Sequence, residues 1–341
     1  MKIYYYFGFN KFNCFTDRVD QPAKVVPDQL STAKTVYIGW SNAVCVTGKS
    51  SPYLTGFLPQ RCERNVELLK YPSEDDAVSH AVLGQCMLCV ITRNGGAYVW
   101  HDVDSEPERI PGAGKVKDVA FGEEEGVVLR PDGSMERLYC STLTLEPLVL
   151  ARPSIKSVVC GNAHNLALAE NGVVFSWGNS SHGELGHGTL DPESTPRPIE
   201  GLEGIVIREV SAGGWHSAAI SVTDDLYLWG WNESGQLALP CPDGQPELYR
   251  EARVVVIKPI PHLVASLTDV LTASCGSRHT AAVAGDGTAW AWGCNAYGQL
   301  GLKEDLKSTC LPMKMCLPQN CVASGVSCKF WGTLVACVVP E

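Results

Sequence analysis

Three histidines stand in the same setting of glycine and tryptophan, and histidine is a common metal ligand and general base. His164, His216 and His279 each follow a glycine by three positions. A glycine-flanked histidine near tryptophans is typical of a pocket, so these side chains are the first candidates for catalysis. They recur in phase along the chain, however, and separate repeat units cannot bring three such side chains onto one metal. We therefore predict that they are structural and that each bonds to backbone near its glycine.

Two further patterns resemble metal sites. His182 and His187 have a suitable spacing, but the next copies carry Ser234 and Tyr297 at the first position, which favours loop residues. Four later cysteines are more regularly spaced, in apolar surroundings typical of buried thiols: Cys310, Cys316, Cys321 and Cys328. We expect no metal, no cofactor and no catalytic residue.

The histidines belong to an internal repeat. "CGNAHNLALAENGVVFSWGNSSHGELGH" (160–187), "GGWHSAAISVTDDLYLWGWNESGQLAL" (213–239) and "CGSRHTAAVAGDGTAWAWGCNAYGQLGL" (275–302) share one frame. Alternating apolar runs joined by Asn171-Gly172 or Asp286-Gly287 predict hairpins, because these dipeptides supply positive φ angles. A tryptophan-glycine pair follows in each copy: Trp177-Gly178, Trp229-Gly230 and Trp292-Gly293. We expect the aromatic side chains to pack on the next sheet and the glycines to allow close approach.

Weaker copies extend the repeat over most of the chain. Anchors at positions 39, 84, 122, 161, 213, 276 and 329 define seven units, and units of this length are typical of propeller blades. The last unit holds only half of its strands, and "YFGFNKFNCF" (6–15) overlays "LWGWNESGQL" (228–237). We predict one all-β domain over residues 1–341, a seven-bladed propeller closed by the strand 1–15, with an inserted loop at 240–262. Four N-terminal residues would close the ring: Phe7, Gly8, Phe9 and Asn10.

Composition narrows the class of protein. The 341 residues carry a formal net charge of −10, which disfavours direct binding to nucleic acid. No apolar run is long enough to span a membrane, so we expect no membrane partner. Fifteen cysteines, odd in number and mostly in apolar runs, indicate reduced thiols in an intracellular protein.

The repeat resembles the regulator-of-chromosome-condensation family. "CGSRHTAAV" with "WAWGCNAYGQLG" carries the likeness, and "GGWHS", "YLWGWNESGQLALP" and "FGFN" narrow it to small vertebrate members that partner a Jumonji-C 2-oxoglutarate oxygenase. Trp-Asp dipeptides are absent, which disfavours the WD40 type, and the kelch type fits less well. A plant ultraviolet-B sensor shares this fold, but its Gly-Trp-Arg-His-Thr repeat is not reproduced here.

The resemblance implies a non-enzymatic, nuclear and chromosome-associated scaffold, with some cytoplasmic protein, that binds the oxygenase and its substrate as a monomer within a heteromeric complex. It further implies a link to histone H3 lysine-36 methylation at centromeric repeats, chromosome segregation and spindle organisation, with chromatin reached through protein contacts. Guanine-nucleotide exchange on a small GTPase, the founding member's activity, is the alternative. Which face binds the partner stays open.

One residue is a candidate for modification. In close relatives within the family, the oxygenase hydroxylates an arginine in the pattern Arg-x-Tyr-x-Ser. The stretch "ERLYCS" resembles this pattern, with Arg137, Tyr139 and Ser141 at the same spacing. An ordinary exposed arginine in a degenerate strand is the competing interpretation. By alignment Arg137 takes the place of Ser176 in a hairpin, so an oxygenase would require local opening of the blade.

Overall fold

Seven four-stranded antiparallel sheets account for the described structure. The computed structural model describes residues 2–9, 23–24, 33–39, 42–46, 52–56, 67–71, 76–85, 87–101, 106–112, 114–150, 153–243, 253–303 and 306–338. The sheets are the blades of a propeller, as predicted, and are numbered I to VII from the first complete sheet along the chain.

The first four blades follow the chain in order. Blade I contains β3 (Thr35–Ile38), β4 (Asn42–Val46), β5 (Tyr53–Gly56) and β6 (Glu67–Leu68), and blade II contains β7 (Val78–Leu83), β8 (Leu88–Thr92), β9 (Ala97–Trp100) and β10 (Glu108–Arg109). Blade III contains β11 (Asp118–Phe121), β12 (Glu125–Leu129), β13 (Met135–Tyr139) and β14 (Thr144–Leu148), and blade IV contains β15 (Ile155–Cys160), β16 (His164–Ala169), β17 (Val174–Gly178) and β18 (Glu193–Pro198).

The remaining three blades include the one that closes the ring. Blade V contains β19 (Ile207–Ala212), β20 (His216–Ser221), β21 (Leu226–Trp231) and β22 (Ile257–Leu263), and blade VI contains β23 (Val270–Cys275), β24 (His279–Ala284), β25 (Ala289–Cys294) and β26 (Ser308–Lys314). Blade VII combines β27 (Val322–Lys329) and β28 (Gly332–Val338) with β1 (Lys2–Gly8) and β2 (Ala23–Lys24). A short 3-10 helix, Glu200–Leu202, is the helical element of the described residues.

Ring closure follows the predicted scheme. Strand β1 pairs with β28 from Lys2 opposite Val338 to Gly8 opposite Gly332, so both ends of the chain share one sheet. Phe7 is buried against blades VI and VII, and Phe9 follows the strand. The strand ends at Gly8, whereas Asn10 and the rest of the predicted segment 10–15 lie outside the described residues.

The predicted inserted loop is too long. We expected a loop over 240–262, but residues 257–263 form β22, which pairs with β21 from Tyr227 opposite Leu263 to Trp231 opposite Ile257. Pro259 and Pro261 made this segment look unlike a strand in the sequence, because proline has no backbone N–H to donate to a neighbouring strand. An outermost strand tolerates proline. Residues 244–252 lie outside the described residues.

Tryptophans fill the spaces between blades. Trp177, Trp229 and Trp292 are fully buried, and each packs against side chains of the preceding blade. The neighbour two positions earlier lies on the same side of the strand and joins the same cluster: Phe175, Tyr227 and Trp290. The repeated aromatic pairs are therefore core residues between sheets. None of the described helical structure is long or apolar enough to cross a membrane.

Candidate interaction face

One end of the propeller collects the repeat's most variable side chains. In each blade the turn between the first and second strands and the loop between the third and fourth strands lie at the same end of the sheet, because the strands are antiparallel. In blade V these are the turn 213–215 and the loop after Trp231. We call this end of the ring the turn face.

The histidine of the repeat takes part in a hydrogen-bond chain between blades. His164 Nε2 lies 2.9 Å from Ser217 Oγ of blade V, and Ser217 Oγ donates to the backbone oxygen of Glu184 at 2.9 Å. Trp229 Nε1 donates to the same oxygen at 2.8 Å. Since the serine proton is donated to a carbonyl, the histidine must donate its Nε2 proton to the serine. The ring is therefore the neutral Nε2–H form.

The same chain recurs at the next two interfaces. Between blades V and VI it joins His216 to Thr280 at 2.9 Å, with Thr280 and Trp292 donating to the oxygen of Gln236 at 2.8 and 2.9 Å. Between blades VI and VII it joins His279 to Thr333 at 2.9 Å, and Thr333 donates to the oxygen of Gln299 at 2.8 Å. Three successive interfaces are thus held by one polar arrangement.

The predicted bond of each histidine to backbone near its glycine is wrong. Each ring lies directly over the α-carbon of its glycine, where a β-carbon would overlap it, as at Gly161 and His164. Nε2 then points across the interface and reaches a hydroxyl of the next blade. Sequence could not show this, because the hydroxyl partner is 53 residues away from His164.

Burial makes these histidines poor acids and bases. It lowers the pKa of His164 and His216 to about 3 and that of His279 to about 4. Each ring is uncharged at neutral pH and already committed to a hydroxyl. The three are structural residues in the geometry observed.

The glycine after each tryptophan has a steric reason. Gly178, Gly230 and Gly293 have φ angles of 111°, 107° and 103°, which residues with a β-carbon rarely adopt. A β-carbon at Gly230 would lie 2.6 Å from the oxygen of Trp215. Gly8 has a φ of 127° and faces the oxygen of Trp331 in the same way. The first strand thus supplies blade VII with the equivalent glycine.

A partly exposed aromatic cluster lies on the turn face between blades IV and V. The ring of Trp231 is 5.4 Å from that of Trp215, edge to face, and 5.0 Å from that of His182. The guanidinium of Arg278 lies 4.3 Å from the centre of the Trp231 ring, and its Nη1 is 3.5 Å from Glu233. Burial lowers the pKa of His182, and Arg278 adds to this effect.

A second cluster repeats this arrangement between blades VI and VII. The ring of Tyr297 is 5.1 Å from Phe9 and 5.6 Å from Trp331. Tyr297, Phe9 and Trp331 align with His182, Trp231 and Trp215 in the repeat. We call the two clusters together the aromatic patch: His182, Trp215, Trp231, Arg278, Phe9, Tyr297 and Trp331.

The aromatic patch does not follow from the repeat pattern of the sequence. Its positions differ between copies, with Ala163 and Arg278 where the other blades have Trp215 and Trp331. Large aromatics at positions that the repeat does not require were the available signal. Aromatic and arginine side chains are enriched where interfaces gain most of their binding energy.

Arg137 lies in the third strand of blade III, near the side chains of Glu125 and Glu146. It is in β13, opposite Val127 in the register, the place that Ser176 takes opposite Leu166 in blade IV. Its Nη2 donates to the oxygen of Ser194 at 2.8 Å, and its Nε lies 3.4 Å from Glu125. The side chain lines a groove between blades III and IV and is mostly buried.

The sequence's metal-like patterns are separated in the structure. His187 Nε2 lies 2.9 Å from Ser176 Oγ, whereas His182 contacts tryptophans. Cys310 and Cys328 are buried in different blades. Within the described ranges no group of three or more His, Cys, Asp or Glu side chains is arranged to hold a metal ion.

Comparison with known families and proteins gives one consistent result. A model of the regulator of chromosome condensation (RCC1) repeat matches residues 171–220, 223–283 and 286–328, and a second model of this repeat matches residues 155–184, 207–236 and 270–299. The chain is 37% identical over 254 residues to human RCC1 domain-containing protein 1, over 64% of this chain and 67% of that protein. It is 40% identical over 210 residues to the mouse protein of the same name, over 53% of this chain and 55% of that protein.

The fold is shared with a more distant solved structure. Prp20p from Saccharomyces cerevisiae superposes with a TM-score of 0.86 over 100% of this chain and 92% of that chain, at 18% identity. That structure was described with the binding of Prp20p to Gsp1p and histones. At this identity the likeness concerns the fold alone.

Proposed function

This chain belongs to the RCC1 repeat family, and from that premise we propose that it is a non-enzymatic nuclear scaffold that binds proteins through its turn face. The aromatic patch is the observation that carries the proposal. Its tryptophans are partly exposed and Arg278 lies over the ring of Trp231, and aromatic and arginine side chains together are the composition of a binding hot spot. The repeated histidines and buried tryptophans, by contrast, are occupied by contacts between blades.

We propose a Jumonji-C 2-oxoglutarate oxygenase as the partner, on the family resemblance of the sequence. The complex would act in histone H3 lysine-36 methylation control at centromeric repeats, in chromosome segregation and in spindle organisation. The net charge of −10 supports chromatin contact through proteins instead of through DNA. Prp20p, with its reported histone binding, is a relative for which contact with chromatin proteins has been described.

The experiment is co-purification of the oxygenase with wild-type protein and with the double variant Trp215→Ala, Trp231→Ala. We expect the variant to lose at least about thirtyfold in affinity, because even one hot-spot truncation costs about 2 kcal/mol or more. The matched control is Trp290→Ala, a half-buried tryptophan whose Nε1 donates to Thr288 in the turn at the opposite end of the blade.

Two results would contradict the proposal. Equal retention of the oxygenase by wild type, the double variant and the control would exclude the aromatic patch as the binding surface. Acceleration of nucleotide release from a small GTPase by catalytic amounts of the protein, with no stoichiometric partner, would favour the exchange-factor alternative.

A further inference from the structure

The innermost strand of blade VII ends differently from those of the other six blades. In blades I to VI a glycine directly follows this strand, whereas blade VII has a lysine at the equivalent position. These residues are Gly39, Gly84, Gly122, Gly161, Gly213, Gly276 and Lys329. In the six glycine blades its N–H bonds to the oxygen three residues later, and Lys329 pairs with Gly332 in the same register. One lysine therefore stands in a ring of glycines.

The glycines are required by close approach of the turns around the central axis. A β-carbon at Gly213 would overlap the backbone oxygen of Gly276, and one at Gly161 would overlap the backbone oxygen of Gly213. The N–H of the next residue, Gly214, bonds to the oxygen of Gly276 at 3.0 Å. Ser277 in turn bonds to the oxygen of Phe330 at 2.7 Å. The turns of these blades are thus packed closely around the central axis. Lys329 places a long side chain among them, at a position where the other six blades have glycine.

Lys329 lines a cavity of about 30 Å³ at the channel mouth on the turn face. Burial lowers the pKa of its ammonium group. The thiol of Cys160, across the cavity, acts in the opposite direction and raises this pKa. Its Nζ lies 5.5 Å from the centre of the Phe330 ring. Among the described residues it forms no ion pair and no side-chain hydrogen bond, and a partly buried cation without a counter-charge is costly.

Other hydrogen-bond donors line the same cavity. They are the amides of Asn162 and Gln85 and the hydroxyl of Ser277, and none of these side chains bonds to another group in the part of the chain described. Glu123 also lines it, exposed and beyond ion-pair distance of Lys329. A cation with three neutral donors suits a singly charged planar anion, whereas Glu123 disfavours a doubly charged one.

We propose that the axial cavity is a carboxylate-binding site, in which Lys329 Nζ holds the charge and Asn162, Ser277 and Gln85 donate hydrogen bonds. The cavity has room for the carboxylate group itself and little more. The group can come from a small monocarboxylate or from the end of an acidic side chain or chain terminus of a bound polypeptide. This site is independent of the proposed oxygenase partner.

The test is thermal unfolding in sodium formate, with sodium pivalate at the same concentration as the matched anion. Pivalate has the same charge, but the carbon beside its carboxylate carries three methyl groups and is bulkier than the corresponding carbon of formate, of an acidic side chain or of a chain terminus. We expect a dissociation constant on the order of 1 mM or weaker, because formate has only three heavy atoms. At 50 mM the expected rise in melting temperature is about 1–3 °C for formate and none for pivalate.

Variants separate the site from a general salt effect. Lys329→Met and Lys329→Gly should each abolish the response. The glycine variant introduces the residue that the other six blades have at this position. Glu123→Gln should strengthen the response by removing a like charge. Triglycine and triglycinamide distinguish the sources: tighter binding of triglycine than of formate indicates a chain terminus, and equal or weaker binding indicates a free small anion.

The proposal fails if formate and pivalate shift the melting temperature equally in the wild-type protein. It also fails if formate stabilises the wild type and both Lys329 variants to the same extent. A response that requires Lys329 but also occurs with triglycinamide would show that the cavity does not recognise a carboxylate.

Discussion

Single residues in this propeller have environments that sequence types alone do not reveal. His216 has the residue type of a base, yet its ring is fully buried and its Nε2 proton is donated to Thr280. Glu184 has the type of a surface acid, yet it is buried and its Oε2 accepts the N–H of His182 at 2.7 Å. The contacts that set these properties come from other blades, which explains why the repeat predicted a structural role but not the bonding partner.

The buried histidines should make the protein sensitive to acid. Their folded pKa values lie below the unfolded value of 6.5, so the unfolded chain takes up protons first and the free energy of unfolding falls as the pH drops from 6.5 towards 3. Replacing His216 by Gln keeps a donor near Thr280 but removes one titrating group. The slope of unfolding free energy against pH, measured by urea titration between pH 6 and 4.5, should decrease by about 1.4 kcal/mol per pH unit. An unchanged slope would contradict the assigned burial of this ring.

Arg137 carries the prediction of hydroxylation. Incubation with the proposed oxygenase, iron(II), 2-oxoglutarate and O2 should add ~16 Da to the wild type and nothing to Arg137→Ala, as read by peptide mass mapping, because one atom of O2 enters the arginine side chain while the other converts 2-oxoglutarate to succinate and CO2. The control is Arg130→Ala, which removes another arginine of blade III that is paired with Glu136. The same added mass in Arg137→Ala would exclude this residue.

At the scale of the element, the loop between the third and fourth strands carries the acceptor for the next blade. Glu184, Gln236 and Gln299 are equivalent, and their backbone oxygens accept the hydroxyl of the following blade. Their side-chain oxygens also match, since each accepts the N–H two residues before it. Glu184 is the member of this set that can ionise.

Glu184→Gln should stabilise the protein at neutral pH. Burial raises the pKa of Glu184 to about 6 from 4.5, so its favourable contribution is complete below pH 4.5 and is lost as the pH rises through 6. The variant should gain at most about 2 kcal/mol at pH 7.5 and nothing at pH 4, measured by urea unfolding. Gln236→Glu is the reciprocal control and should lose stability as the pH rises. A gain for Glu184→Gln that is equal at both pH values would contradict the argument.

The elements were predictable wherever their own residues were regular. Asn171-Gly172 correctly indicated the hairpin of blade IV, and Gly172 has a φ of 84°. Strand β22 was missed because Pro259 and Pro261 break its pattern, although an edge position tolerates them. The aromatic patch was missed because its side chains meet only across blade interfaces, which local patterns do not encode.

At the scale of the whole molecule, stability depends on closing the ring. Tyr4, Tyr6 and Phe7 of β1 are buried in or next to blade VII, and burying each such side chain is worth about 2 kcal/mol or more. Their sum approaches the total stability of an ordinary domain, about 5–15 kcal/mol. The seven-unit count and the closing strand were predicted from the repeat because a half-complete last unit needs its missing strand.

Deletion of residues 1–15 should therefore cause aggregation, since β28 would become an exposed edge next to buried apolar residues. Light scattering and melting temperature would measure this. A rearranged chain in which β1 is moved after β28 through a flexible linker is the control and should remain monomeric. A truncated protein that is as soluble and heat-stable as the wild type would refute the closure.

The pairing of Lys2 with Val338 also fixes how the molecule can be tethered. Strand β28 starts at the turn face and ends at the opposite side, and β1 starts where β28 ends. Chain that precedes Lys2 or follows Val338 therefore starts from neighbouring positions at the end of the ring opposite the turn face. A surface-immobilised protein, whichever terminus is used, will present the tryptophans and the lysine-centred opening outward.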